Sequence, residues 1–145
     1  MLGWVKGPAQ RRDFKSGASF ELFEDYVSRI SRFAACSVLG SSKNFKKDAG
    51  ARLWLCDTSK RSRGLSSEEI SREIGKLQAG GIKELFIAIG PPDGWSEEDI
   101  ALMKPDIFWS LGPMTLPHEL AGIVAAEQIY RAHTILKKLP YHCGH

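Results

Sequence analysis

Three groups of residues have the types and spacing for chemistry. The first is "SLGPMTLPHEL", residues 110–120, which leaves an apolar run through a Gly-Pro pair and sets His118 at the start of a long helical pattern. A neutral imidazole is the usual proton acceptor near neutral pH, and free amides at a helix start hold anionic groups. His118 therefore has two readings: it faces a ligand, or it hydrogen-bonds across the corner and holds it closed. The second group is Glu127 and Arg131, four residues apart among apolar neighbours, where pairing matters most. Arg131 has the donor fork that suits a phosphate or a developing charge on a base. The third is the tail "LPYHCGH", where Tyr141 offers an aromatic platform and His142 a donor. His142, Cys143 and His145 have no second cluster at zinc spacing, so no metal site is read there. Asp57, Asp93 and Asp99 fall in a turn, a turn and a helix cap. The chain has no GxGxxG, no GxxxxGK[ST] and no GxSxG elbow, which argues against a dinucleotide fold, a P-loop and an α/β-hydrolase.

The elements that must position these residues follow from periodicity. Phe20, Phe23, Val27, Ile30 and Phe33 recur at helical spacing within residues 19–33. "AACSVLG" reads as a short strand and "SSKNFKKDAG" as a loop. "RLWLC" is a strand ended by Asp57, and the basic loop "TSKRSRG" leads to a helix. There Ser66 and Glu69 form a capping box, and "AGG" supplies the stop. "ELFIAIG" carries enough consecutive apolar residues to be covered on both faces. After the turn "PPDGW", Ser96 caps a short helix, "DIFWSL" is a strand, and a helix runs from about 117 to 138. Pro117 suits that helix's first turn, with Thr115 favoured over Leu116 as its cap. Strands alternating with helices predict a parallel sheet flanked by helices. Ligands in such sheets gather beyond the strands' carboxyl ends, here the loops 57–65, 90–96 and 111–117.

The bulk properties agree with one domain spanning residues 1–145. With 43 % hydrophobic residues the chain can bury a core, and no apolar run is long enough for a membrane span. Three widely spaced cysteines fit a reducing compartment, and the cytoplasm is the expected location. The basic, serine-containing stretch "AQRRDFKSGAS" leaves organelle targeting open. Charge is asymmetric: residues 1–63 carry 13 Lys/Arg against 6 Asp/Glu, and residues 64–145 carry 7 against 11. A basic half suits a polyanion such as RNA, or simply a solvated face. The last helix is apolar on two sides, which fits either a partner subunit or deep burial.

Five segments taken together resemble one family. "LSSEEI", "IAIGPPDGWSEE", "SLGPMTLPHELA", "AEQIYRAHTI" and "PYH" are similar, in order and spacing, to the RlmH family. Its members are ribosomal RNA large subunit methyltransferases of the SPOUT class. The resemblance covers about residues 51–142, and residues 19–33 resemble the family's early helix. It implies a trefoil-knotted α/β fold, S-adenosylmethionine as cofactor and a homodimer as the active unit. The implied reaction is methylation of a ring nitrogen of pseudouridine in large-subunit rRNA, on the assembled ribosome. Carried onto this chain, Ile89 and Gly90 support the cofactor and Cys56 lies near its adenosine. Leu111, Met114, Thr115 and Leu116 form the second cofactor loop. His118, Arg131, Tyr141 and His142 match residues on the rRNA side, and either His118 or His142 could assist the loss of the ring-nitrogen proton.

The chain also departs from the pattern. Gly90-Pro91 stands for paired glycines, and Leu111-Gly112-Pro113-Met114-Thr115 loses a hydroxyl and a side chain. The longer "TSKRSRG" replaces a turn, and Cys143 replaces a basic residue. "MLGWVKGP" retains only a trace of the family's first strand, so the expected fold is shortened at its N-terminal side. These departures define an alternative expectation: a catalytically weakened knotted dimer that binds RNA or protein.

Overall fold

A computed structural model describes residues 2–5, 16–38, 48–90 and 94–143, with residues 2–5 described as backbone alone. Predicted features at Pro91, Asp93 and His145, most of the loop 41–50 and nearly all of the stretch 9–19 ahead of Ser16 lie outside them. The strands are β1 (Leu2–Val5), β2 (Cys36–Val38), β3 (Ala51–Cys56), β4 (Arg63–Gly64), β5 (Glu84–Ala88) and β6 (Ile107–Ser110). The helices are α1 (Gly17–Ile30), α2 (Ser67–Ala79), α3 (Glu97–Met103) and α4 (His118–Leu136). All the strand pairs are parallel, in the order β2-β1-β5-β3-β6-β4.

β3 and β5 are central because their side chains are apolar on both faces. Trp54, Ile87 and Trp109 join a core with α1, α2 and α4, through Phe23, Ile30, Ile70, Ile74 and Ile129. Leu53, Leu55, Phe86 and Ala88 join a second core on the opposite face, with Ile100 and Met103 of α3. Burying one such side chain stabilises the fold by about 1.5–3 kcal/mol before the entropy of ordering is counted. The sheet is thereby covered on both faces, and its carboxyl-end loops are left to form a site.

Three sequence expectations change, and one that offered two explanations is partly resolved. The N-terminal segment is not a trace: β1 lies within the sheet, with Leu2 beside Cys36 on one side and Leu85 on the other. The expected shortening did not remove this strand. The basic loop contains β4, whose two exposed residues lack the apolar alternation that would have announced a strand. α4 begins at His118, and Pro117 is its cap residue, without a side-chain hydrogen bond. Thr115 therefore does not cap it; the extended Pro117, at φ −54 and ψ 145, is the half-in residue instead. Most of the apolar surface of α4 finds cover within the chain, since α4 packs against both α1 and α2, while Leu120 stays exposed.

One piece of register governs the site. Cys56 at the end of β3 pairs with Trp109 from one side, and Arg63 of β4 pairs with the same residue from the other. Residues 57–62 thus link the two strands that flank β6.

Candidate functional site

The three carboxyl-end loops converge on a cavity of about 310 Å³. Cys56, Asp57 and Thr58 come from the end of β3, and Ile89, Gly90, Gly94 and Trp95 from the loop after β5. Trp109 and Leu111 to Leu116, except Pro113, come from β6 and the corner, with His118 and Ala121 of α4 completing the lining. All seven residues expected at the cofactor, Cys56, Ile89, Gly90, Leu111, Met114, Thr115 and Leu116, therefore border one hollow together with His118.

Local chemistry fixes each wall. The indole N–H of Trp95 donates to the Cys56 carbonyl at 2.9 Å, tying the second loop to the end of β3. A Cβ on Gly90 would come within 3.0 Å of that indole nitrogen, so a side chain there would push Trp95 away. Gly112 has φ +119, a conformation that favours glycine. Its amide donates to Ser110 Oγ at 3.2 Å, closing the corner on itself. His118 has no hydrogen-bond partner among the described residues, so nothing described supports its reading as a strut across the corner.

The charges are distributed unevenly. Partial burial pushes the Asp57 carboxyl up, but hydrogen bonds from Ser59, Arg61 and the Thr58 amide outweigh it and hold it below the usual carboxylate range. Asp57 is thus an anion at the rim near neutral pH. Arg61 spans Asp57 and Glu97 and lies 4.6 Å over the Phe108 ring, which braces the loop. Burial, and secondarily Asp57, pushes the Cys56 thiol well up, so it is a neutral packing group there. Trp95 and Asp57 were read in the sequence only as turn residues. The signal available for Trp95 was that a half-buried indole needs an acceptor for its N–H.

Arg131, Tyr141 and His142 are brought together elsewhere, in a polar cluster on the outer side of α4. Arg131 donates through Nε and Nη2 to Glu127 Oε1 at 2.9 and 2.6 Å, and Tyr141 donates to the same oxygen at 3.1 Å. Arg131 also sits 4.9 Å over the Tyr141 ring. Hydrogen bonding to Glu127 raises the Arg131 pKa further, so it stays charged. Burial first, then the Tyr26 hydrogen bond and the Glu127 charge, push the Tyr141 phenol up and keep it a donor. These three residues do not line the cavity that holds His118.

Residues 13–142 match the family model described as "Predicted SPOUT methyltransferase". A protein of Koribacter versatilis named "Ribosomal RNA large subunit methyltransferase H" is 40 % identical over 139 residues, covering 90 % of this chain and 92 % of its own. Proteins of the same name from Brucella anthropi and Maricaulis maris are 37 % and 34 % identical, each over 88 % of this chain and 92 % of their own. This chain belongs to the RlmH family of SPOUT methyltransferases.

A SPOUT fold implies an S-adenosylmethionine site, and the cavity fits such a molecule. Partly buried Leu111 offers apolar surface in the lining, backed by the buried Ile89 and Trp109. Gly90 lets the Trp95 indole pack close against the backbone, and Asp57, paired with Arg61, is the acidic residue of the lining. No helix among the described residues is long and apolar enough to cross a membrane.

Proposed function

We propose that this RlmH-family chain transfers a methyl group from S-adenosylmethionine to a ring nitrogen of pseudouridine in large-subunit rRNA, on the assembled ribosome. One observation carries the reading: three loops at neighbouring strand ends enclose a single cavity that contains every residue expected at the cofactor. When bound, S-adenosylmethionine supplies an already activated methyl group. The protein's task is then alignment, and rigid loops do this at little entropic cost. Cys56, Ile89, Gly90, Leu111, Met114, Thr115 and Leu116 hold the cofactor. His118 at the cavity edge, free of other hydrogen bonds among the described residues, takes the proton that the ring nitrogen gives up. Arg131, Tyr141 and His142 face the rRNA.

The same reading covers the remaining properties. The fold is knotted, a reading supported by Cys56 and Arg63, the ends of one short stretch, pairing with Trp109 of β6 from opposite sides. Residues 1–145 act as one domain, and two copies make the working unit. Exposed Met114 and Leu120, 70 % and 43 % accessible at the corner and the start of α4, favour a second copy there. The basic N-terminal half favours RNA, and the cytoplasm is where ribosomes are met.

The test is methyl transfer from labelled cofactor to assembled ribosomes, with free rRNA as the control. Label mapping to one pseudouridine is expected. Tight cofactor binding without incorporation would overturn the substrate, and no binding at millimolar cofactor would favour a binding module without transfer.

A further inference from the structure

The segment "LSSEEI" enters the cluster around Arg131 through two consecutive residues of α2. Ser67 Oγ donates to Gln128 Oε1 at 2.7 Å, and Gln128 Nε2 donates to Glu127 Oε2 at 2.7 Å. Glu127 Oε1 accepts from Arg131, whose Nη1 lies 3.1 Å from His142 Nδ1. His142 Nε2 lies 2.9 Å from Glu68 Oε1, and Glu68 follows Ser67 in the chain. The hydrogen bonds therefore run from Ser67 round to Glu68, and the peptide link between these neighbours closes a circuit joining α2, α4 and the tail. A guanidinium has no acceptor, so Nδ1 of His142 must be the accepting nitrogen and Nε2 carries the hydrogen donated to Glu68. Both ring nitrogens are engaged, and the accepting role of Nδ1 selects one tautomer. The groups facing it are Glu68 from α2 and Arg131 from α4, the latter backed by Glu127; Tyr141, which precedes it, meets Tyr26 of α1.

We infer that His142 is a positioning residue for Arg131 rather than a proton acceptor, and that Glu68 and Glu127 are the two carboxylates that hold this arrangement. The circuit presents Arg131 already oriented, so ordering it does not have to be repeated at each encounter with RNA. The inference rests on the methyltransferase reading for what Arg131 is oriented toward; the circuit itself does not.

The experiment separates the two. In ribosome methylation His142→Asn keeps an acceptor toward Arg131 but has no imidazole. It is expected to stay within about tenfold of the natural chain in kcat/KM, with the same pH–rate profile. His142→Ala and Glu127→Gln are expected to fall about a hundredfold while the cofactor Kd moves less than about twofold. Glu68→Gln, on a half-exposed side chain that does not threaten folding, is expected to fall by about tenfold. An Asn variant as inactive as the Ala variant, with one limb of the pH profile gone, would make His142 the base and overturn the inference. Imidazole nitrogen NMR spectra of the full chain read the circuit without any reaction. His142 is expected as a single Nε2–H tautomer whose signals move in Glu68→Gln and Glu127→Gln. A His142 that averages between tautomers in the natural chain overturns the circuit. If that single tautomer is seen but ribosomes are not methylated, the circuit stands and the substrate reading falls.

Discussion

Burial strips water from the His133 imidazole, and Lys137 one turn on opposes its charge, so its pKa falls from 6.5 to about 4. Its ring stacks on Phe33 at 5.5 Å, and its Nε2 has no hydrogen-bond partner among the described residues. The folded value lies below the unfolded one, so above pH 6.5 both states are neutral and nothing is lost. As pH falls from about 6.5 towards 4, the unfolded chain takes the proton first, and about 3 kcal/mol of stability disappears over that window. Urea unfolding at neutral and acid pH measures the loss, and His133→Phe should flatten it while keeping the stack. At the cavity, Gly90→Ala should weaken S-adenosylmethionine binding by about tenfold, because the new Cβ meets the Trp95 indole. Calorimetric titration reads that change, and unaltered affinity would mean that the Trp95 wall is not a cofactor contact.

At the scale of elements, α2 couples stability to the tail. Its capping box joins the Ser66 side chain to the Glu69 amide at 3.1 Å, and Glu69 to the Ser66 amide at 2.7 Å. Ser66→Ala should cost about 1 kcal/mol, measured by denaturant midpoint, and should loosen the first turn that carries Glu68. Ile129→Ala, at a fully buried position of α4, should cost about 2–5 kcal/mol in the same assay. The elements legible in the sequence were those with strong local signals: the apolar runs of β3, β5 and β6, the Ser caps of α2 and α3, and the stripe of α1. β4 was hidden because its two residues are exposed and its pairing with β6 is wholly non-local. β1 was hidden because "LGWV" is short and contains glycine, which weakens a strand signal; long-range pairing with β5 makes it one.

Across the whole molecule, the gathering of Cys56, Gly90 and Leu111 at one hollow was legible once a parallel sheet had been inferred, since such sheets put their loops on one side. The separation of His118 from Arg131, Tyr141 and His142 was not, because it depends on how the tail lies across α2 and α4. Charge makes a further prediction at this scale: affinity for ribosomes should fall steeply between low and moderate salt, as counterion release requires. A flat salt response in a filter-binding assay would count against a polyanionic partner. The link that residues 57–62 make between the two neighbours of β6 has its own outcome. β6 pairs on both edges with strands that lie about fifty residues earlier in the chain and are joined by one short stretch, so its place in the sheet depends on distant contacts. Such non-local pairing adds search time. Renaturation should accordingly lag behind that of an ordinary parallel sheet of this size. A single proteolytic nick between Asp57 and Ser62 should cut that link and speed the release of β6.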